Sequence, residues 1–179
     1  MRRTTLVFVF MALALVVAGG VALAETIDCG GGRCEGTDEA DTITGTAGRD
    51  NIYGLGAVDT LYGRGSPDRL FGNAGDDEMR SDTGNDFLRG GLGADEMVGG
   101  DGVDNFYGEG GADYLYGGGG GDQMTGGTGS DRFYGGPDND AIASQDGVFD
   151  FVNCGSGDYD AVVMDRGLDR IRDCENVFW

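Results

Sequence analysis

From Gly36 to Ala143 the chain divides, without one insertion, into twelve units of nine residues. The sixth position of every unit is Asp: Asp41, Asp50, Asp59, Asp68, Asp77, Asp86, Asp95, Asp104, Asp113, Asp122, Asp131 and Asp140. The eighth is apolar in every unit, from Ile43 and Ile52 through Met97 and Phe106 to Ile142. The first is Gly in eleven units, with Ser81 the exception, and the fourth is Gly in eight. So strict a period means that each unit repeats one local structure and buries its apolar side chain on its neighbours. Only three residues per unit, such as Glu96-Met97-Val98, read as a strand, and the six before them read as a turn. Two units therefore make one 18-residue rung. Rungs stacked at ~4.8 Å give two parallel sheets with the eighth-position side chains meeting between them. Twelve units supply six such rungs, an all-β parallel solenoid.

The composition agrees with turns rather than helices. Gly accounts for 38 of 179 residues, and each Gly inside a helix costs about 1 kcal/mol relative to Ala. Acidic residues outnumber basic ones 32 to 12, for a net charge of −20. This charge argues against nucleic acid and against insertion of the mature chain into a membrane, and it favours cations as partners. There is no His, and all 12 basic residues are Arg. The usual general base, the imidazole metal ligand and the Schiff-base amine are thereby removed. A non-enzymatic protein is expected.

Because units alternate sides, the Asp column splits into two rows, Asp41 to Asp131 and Asp50 to Asp140, with neighbours one rung apart. At ~5 Å and an effective dielectric of ~20, each like-charged pair costs up to about 3 kcal/mol. A divalent cation relieves that repulsion. Calcium suits the rows better than magnesium, because it accepts six to eight hard oxygens in flexible geometry and mixes carboxylates with backbone carbonyls. The metal-free alternative is an Asp that bonds the backbone of its own turn.

The units GGLGAD (90–95), GGDGVD (99–104), GGGGGD (117–122) and GGTGSD (126–131) resemble the G-G-x-G-x-D-x-U-x nonapeptide of the hemolysin-type, or RTX, calcium-binding repeat family. The resemblance implies a β-roll whose turns hold several Ca2+ ions. It implies that the carbonyls at positions two and four and the position-six Asp of adjacent same-side turns share each ion. Carried onto this chain, these ligands are Gly91, Gly93 and Asp95; Gly100, Gly102 and Asp104; Gly118, Gly120 and Asp122; and Gly127, Gly129 and Asp131. The first six units keep the Asp and the apolar residue but loosen the glycines, as in GTDEAD at Gly36 and GRGSPD at Gly63.

The flanks complete the plan. Residues 1–24 read as a secretory leader, with Arg2 and Arg3, an apolar run from Leu6 to Val17, and Ala22-Leu23-Ala24 before the cleavage point. A secreted, extracellular protein is expected, and in that compartment the four Cys pair. Cys154 and Cys174 are 20 residues apart, close to one rung, while cross-pairing would join opposite ends of the stack. Cys29–Cys34 in an N-terminal cap (25–35) and Cys154–Cys174 in a divergent C-terminal cap (144–179) follow. In that cap Asp150, Asp160 and Asp169 open strands that continue the sheets without strong metal sites, and Phe178 and Trp179 are expected to close the core. Tyr53, Tyr62, Tyr107, Tyr116 and Tyr134 recur at position nine, where they cover the outer sheet faces. A stripe of Tyr and Arg on one sheet is the feature that a cell-surface or polysaccharide partner requires.

Overall fold

The computed structural model describes residues 25–179; the expected leader, residues 1–24, lies outside the described residues. The chain coils into two nine-stranded parallel sheets, and successive strands alternate between them. The first sheet holds β1 (Glu25–Asp28), β3 (Asp41–Thr44), β5 (Thr60–Tyr62), β7 (Glu78–Thr83), β9 (Glu96–Asp101), β11 (Tyr114–Gly119), β13 (Arg132–Gly136), β15 (Phe151–Gly155) and β17 (Arg170–Arg172). The second holds β2 (Gly32–Glu35), β4 (Asp50–Gly56), β6 (Arg69–Ala74), β8 (Phe87–Leu92), β10 (Asn105–Gly110), β12 (Gln123–Thr128), β14 (Ala141–Ser144), β16 (Ala161–Met164) and β18 (Asn176–Phe178).

The register is the 18-residue rung: Phe106 of β10 stands opposite Leu88 of β8 on one side and Met124 of β12 on the other. Every eighth-position side chain from Ile43 to Ile142 is buried between the sheets. The two cap segments are themselves coils, which is why nine rungs form where the twelve units alone supply six. Both disulfides join the expected partners, with Cα–Cα separations of 5.6 Å for Cys29–Cys34 and 5.2 Å for Cys154–Cys174.

Two expectations are corrected. Strands β6 to β12 are six residues long rather than three, because the ladder resumes after position one: Glu109 pairs with Gly127 and Gly110 with Thr128. The turn is therefore tied to its neighbours for half its length. Phe178 and Trp179 do not close the core; they are 54% and 64% exposed. Val177 pairs with Val162 and takes the inward eighth position, so Phe178 falls on the outward ninth. The ninth-position tyrosines do lie on the outer faces, where Tyr53 stacks on Phe71 and Tyr116 on Tyr134, each with centroids 4.7 Å apart.

Candidate metal centre

Each position-six Asp begins or immediately precedes a strand, and the same bonding pattern recurs along both rows. From Asp59 onward its Oδ1 accepts the backbone N–H of the equivalent Asp one rung earlier, while Asp41 and Asp50 accept from Glu25 and Gly32. Asp41 N–H donates to Asp59 Oδ1 at 2.8 Å and Asp95 N–H to Asp113 Oδ1 at 2.9 Å. In the other row Asp50 N–H donates to Asp68 Oδ1 at 2.7 Å and Asp104 N–H to Asp122 Oδ1 at 2.9 Å. The carboxylates thus bond the neighbouring rung's backbone rather than their own, and half of each carboxylate is satisfied without any ion.

The other half is not. Twelve Asp Oδ2 atoms, those of Asp59, Asp68, Asp77, Asp86, Asp95, Asp104, Asp113, Asp122, Asp131, Asp140, Asp150 and Asp160, are buried without a hydrogen-bond partner. Each of these residues is at most 2% exposed. In repeats such as 90–95 and 99–104, Oδ2 lies directly under the position-one Gly of its own turn, where a Cβ would overlap it. Leaving a buried carboxylate oxygen unpaired is costly. The pKa values respond: burial, with neighbouring carboxylates adding to it, pushes Asp68, Asp95, Asp122, Asp140 and Asp150 up to about 7. Asp59, Asp104 and Asp113 rise to about 6 for the same first reason. The backbone N–H from the preceding rung opposes the rise in every case.

Carbonyls complete the donor set. A Cβ on Gly93 would overlap the Gly75 carbonyl oxygen, one on Gly102 that of Gly84, one on Gly111 that of Gly93, and one on Gly129 that of Gly111. Position-four carbonyls therefore run along the stack from one turn onto the next. Among the described residues no hydrogen bond is made to the carbonyls of Gly75, Gly84, Gly93, Gly102 or Gly111. Position-two carbonyls follow the same direction, Asn73 onto Gly91 and Gly100 onto Gly118. These accept one ladder bond, as from Thr83 N–H to Arg64 O at 2.9 Å, and keep a second lone pair. Hard, anionic and carbonyl oxygens with no nitrogen or sulfur donor fit Ca2+.

Position-two and position-four carbonyls and position-six Asp side chains thus recur turn by turn, with two exceptions and two additions. In the turns of Asp41 and Asp50, position two is Thr. Thr37 donates its N–H at 2.6 Å and its hydroxyl at 2.9 Å to Asp41 Oδ2, and Thr46 does the same to Asp50 Oδ2 at 2.6 and 2.9 Å. Each of these two carboxylates bonds the backbone and the hydroxyl of its own turn. Elsewhere position two sits in the left-handed region, even where it is Leu55, Arg64, Asn73, Asp82 or Glu109. The additions are Asp150 and Asp160, each ten residues from the previous acidic position, where the sequence leads to no expectation of a strong metal site. Both repeat the ladder, with Asp131 N–H to Asp150 Oδ1 and Asp140 N–H to Asp160 Oδ1 at 2.8 Å each.

No curated protein matches the chain. Four overlapping segments, 35–70, 56–88, 89–124 and 116–148, match the RTX calcium-binding nonapeptide repeat. Together they cover more than half of the chain. With a parallel roll of 18-residue rungs and stacked turns of carboxylate and carbonyl oxygens, the chain belongs to the RTX calcium-binding nonapeptide repeat family.

Proposed function

We propose that this protein is a secreted calcium-binding β-roll whose turns become ordered as Ca2+ binds. The observation that carries the reading is the set of twelve buried, donor-less Oδ2 atoms, which repeat at each rung beside free carbonyls. Bound Ca2+ supplies positive charge to these oxygens. Ligands come from Asp59, Asp68, Asp77, Asp86, Asp95, Asp104, Asp113, Asp122, Asp131 and Asp140 with the carbonyls of positions two and four. Asp41 and Asp50 need no ion, since Thr37 and Thr46 occupy their lone pairs. The carboxylate rows are buried and uniform, which supports a non-enzymatic role.

The test is calorimetric titration with Ca2+ and with Mg2+ in parallel. Saturable binding of several Ca2+ ions, with affinities in the ~10⁻⁴–10⁻³ M range of extracellular modules and far weaker Mg2+ binding, is the expected result. No heat of Ca2+ binding up to ~10 mM, well above that range, overturns it.

A second reading, a calcium-rigidified surface-recognition module, has a specific observation in its favour. On the first sheet Tyr114, Arg132, Phe151 and Arg170 follow one another in register, beside the stacked Tyr116 and Tyr134. The Arg132 guanidinium lies 4.9 Å above the Tyr114 ring. Binding to polysaccharide or cell surfaces that disappears in chelator supports this reading, and no binding in either condition excludes it.

A further inference from the structure

The matched repeat ends at residue 148, yet the next turn on the second sheet's side keeps the stacked geometry. In segment 154–160 Gly155 has φ +109, and a Cβ there would overlap the Gly136 carbonyl oxygen. A Cβ on Gly157 would overlap the Asp138 carbonyl in the same way. The extra residue of this ten-residue unit is bulged outward: Tyr159 is 73% exposed, and the N–H groups of Asp158 and Tyr159 both donate to Asn139 Oδ1 at 3.0 Å. The insertion therefore leaves the interior of the turn intact.

Inside it, Asp160 is fully buried, its Oδ1 accepts the Asp140 N–H, and its Oδ2 has no partner. The place of the next carboxylate in the row is taken by Glu175, outside any nonapeptide. Glu175 Oε2 accepts the Asp160 N–H at 3.1 Å, and its carboxylate lies against that of Asp160. No ion pair among the described residues involves either carboxylate. Glu175 is placed there by its neighbour Cys174, which is covalently tied to Cys154 at the start of the same turn.

We propose that this C-terminal turn is a further divalent-cation site, formed by Asp160, Glu175 and the Gly136 and Asp138 carbonyls that face segment 154–160, and closed by the Cys154–Cys174 disulfide. The inference rests on the calcium reading above. It differs from the repeat sites in that its last carboxylate comes from a non-repeat segment held by a disulfide.

Native mass spectrometry, which counts bound ions as integers, tests it on the full chain with Ca2+ alone. Glu175→Gln, at an exposed chain end, and Asp160→Asn should each lower the maximal number of Ca2+ ions by one relative to the unaltered chain. Asp158→Asn, at an exposed position of the same turn, should leave the number unchanged. Circular dichroism at saturating Ca2+ should show the roll retained. An undiminished count in Glu175→Gln overturns the proposal, and this variant decides the matter if Asp160→Asn does not fold. Failure of the unaltered chain to bind any Ca2+ is a distinct outcome that overturns the calcium reading itself.

Discussion

At the scale of single residues, each position-six Asp from Asp59 to Asp140 has one oxygen bonded to a neighbouring rung's N–H and one left bare, and this division sets the pH response. In the folded chain Asp68, Asp95, Asp122, Asp140 and Asp150 have pKa values raised to about 7 by burial. The unfolded value is near 3.9. Folded carboxyls then hold more protons than unfolded ones between those limits, so stability of the ion-free roll falls as pH rises through about 6 to 7 and is fully regained only below about 4. Far-UV circular dichroism in metal-free buffer should therefore show β-structure increasing from pH 7.5 to pH 5, and Ca2+ affinity should change in the opposite sense because ion and proton compete for the same oxygen. Metal-free β-structure that increases with pH contradicts this.

Glycines divide just as sharply. Gly102 has φ +146 and faces the Gly84 carbonyl, so Gly102→Ala should cost about 1–3 kcal/mol and weaken Ca2+ binding. Gly48 lies outside the left-handed region, and an added Cβ would meet only Thr46 Oγ1 at 3.7 Å. Gly48→Ala should be neutral or stabilise by up to about 1 kcal/mol. Arg64 occupies the left-handed region at φ 83, and Arg64→Gly should stabilise by about 1 kcal/mol through the relieved backbone. Thermal unfolding at saturating Ca2+ checks all three.

The element scale shows what the sequence made legible and what it concealed. Period nine fixed the strand positions, the 18-residue register and the inward eighth column, because one-residue slips would turn Leu70 or Met97 out to solvent. Spacing likewise located Cys154 and Cys174 on adjacent rungs. The Asp-to-Asp backbone ladder was not legible, since it depends on how closely two turns stack, and stacking distance is a property of the pair rather than of either unit. Asp150 and Asp160 were legible as strand openers, but the loss of Gly-rich turns around them hid their bare carboxylate oxygens; the extra residue per unit is absorbed as an outward bulge while Val152 and Val162 stay in the core. Thr37 and Thr46 did carry a readable signal, a hydroxyl at position two four residues before Asp, which is the reach of a side-chain cap. Thr46→Val, which removes the hydroxyl's bonds to Asp50 Oδ2 and to the Gly48 backbone, should lower stability in Ca2+ by about 1–2 kcal/mol and leave the number of bound ions unchanged. A lowered ion count would place an ion in that turn.

The whole molecule is a stack whose two ends are fastened by disulfides and whose successive rungs carry bare carboxylate oxygens. At the N-terminal end the Cys29–Cys34 disulfide and the two Thr-capped turns satisfy their own polar groups. At the far end Asp169 Oδ2 accepts the Asp165 N–H at 2.8 Å, and the Cys154–Cys174 disulfide fastens the last rung. Between these ends every rung adds two buried carboxylate oxygens that only a cation or a proton can neutralise. Nearest-neighbour coupling along such a stack makes ordering cooperative. Far-UV circular dichroism of the full chain at pH 7.5, in excess chelator and then with Ca2+ raised to ~10 mM, above the range of extracellular sites, tests this most directly. A largely unordered spectrum in chelator should convert to β-structure in a steep transition as Ca2+ is added. An unchanged β-sheet spectrum throughout would contradict it.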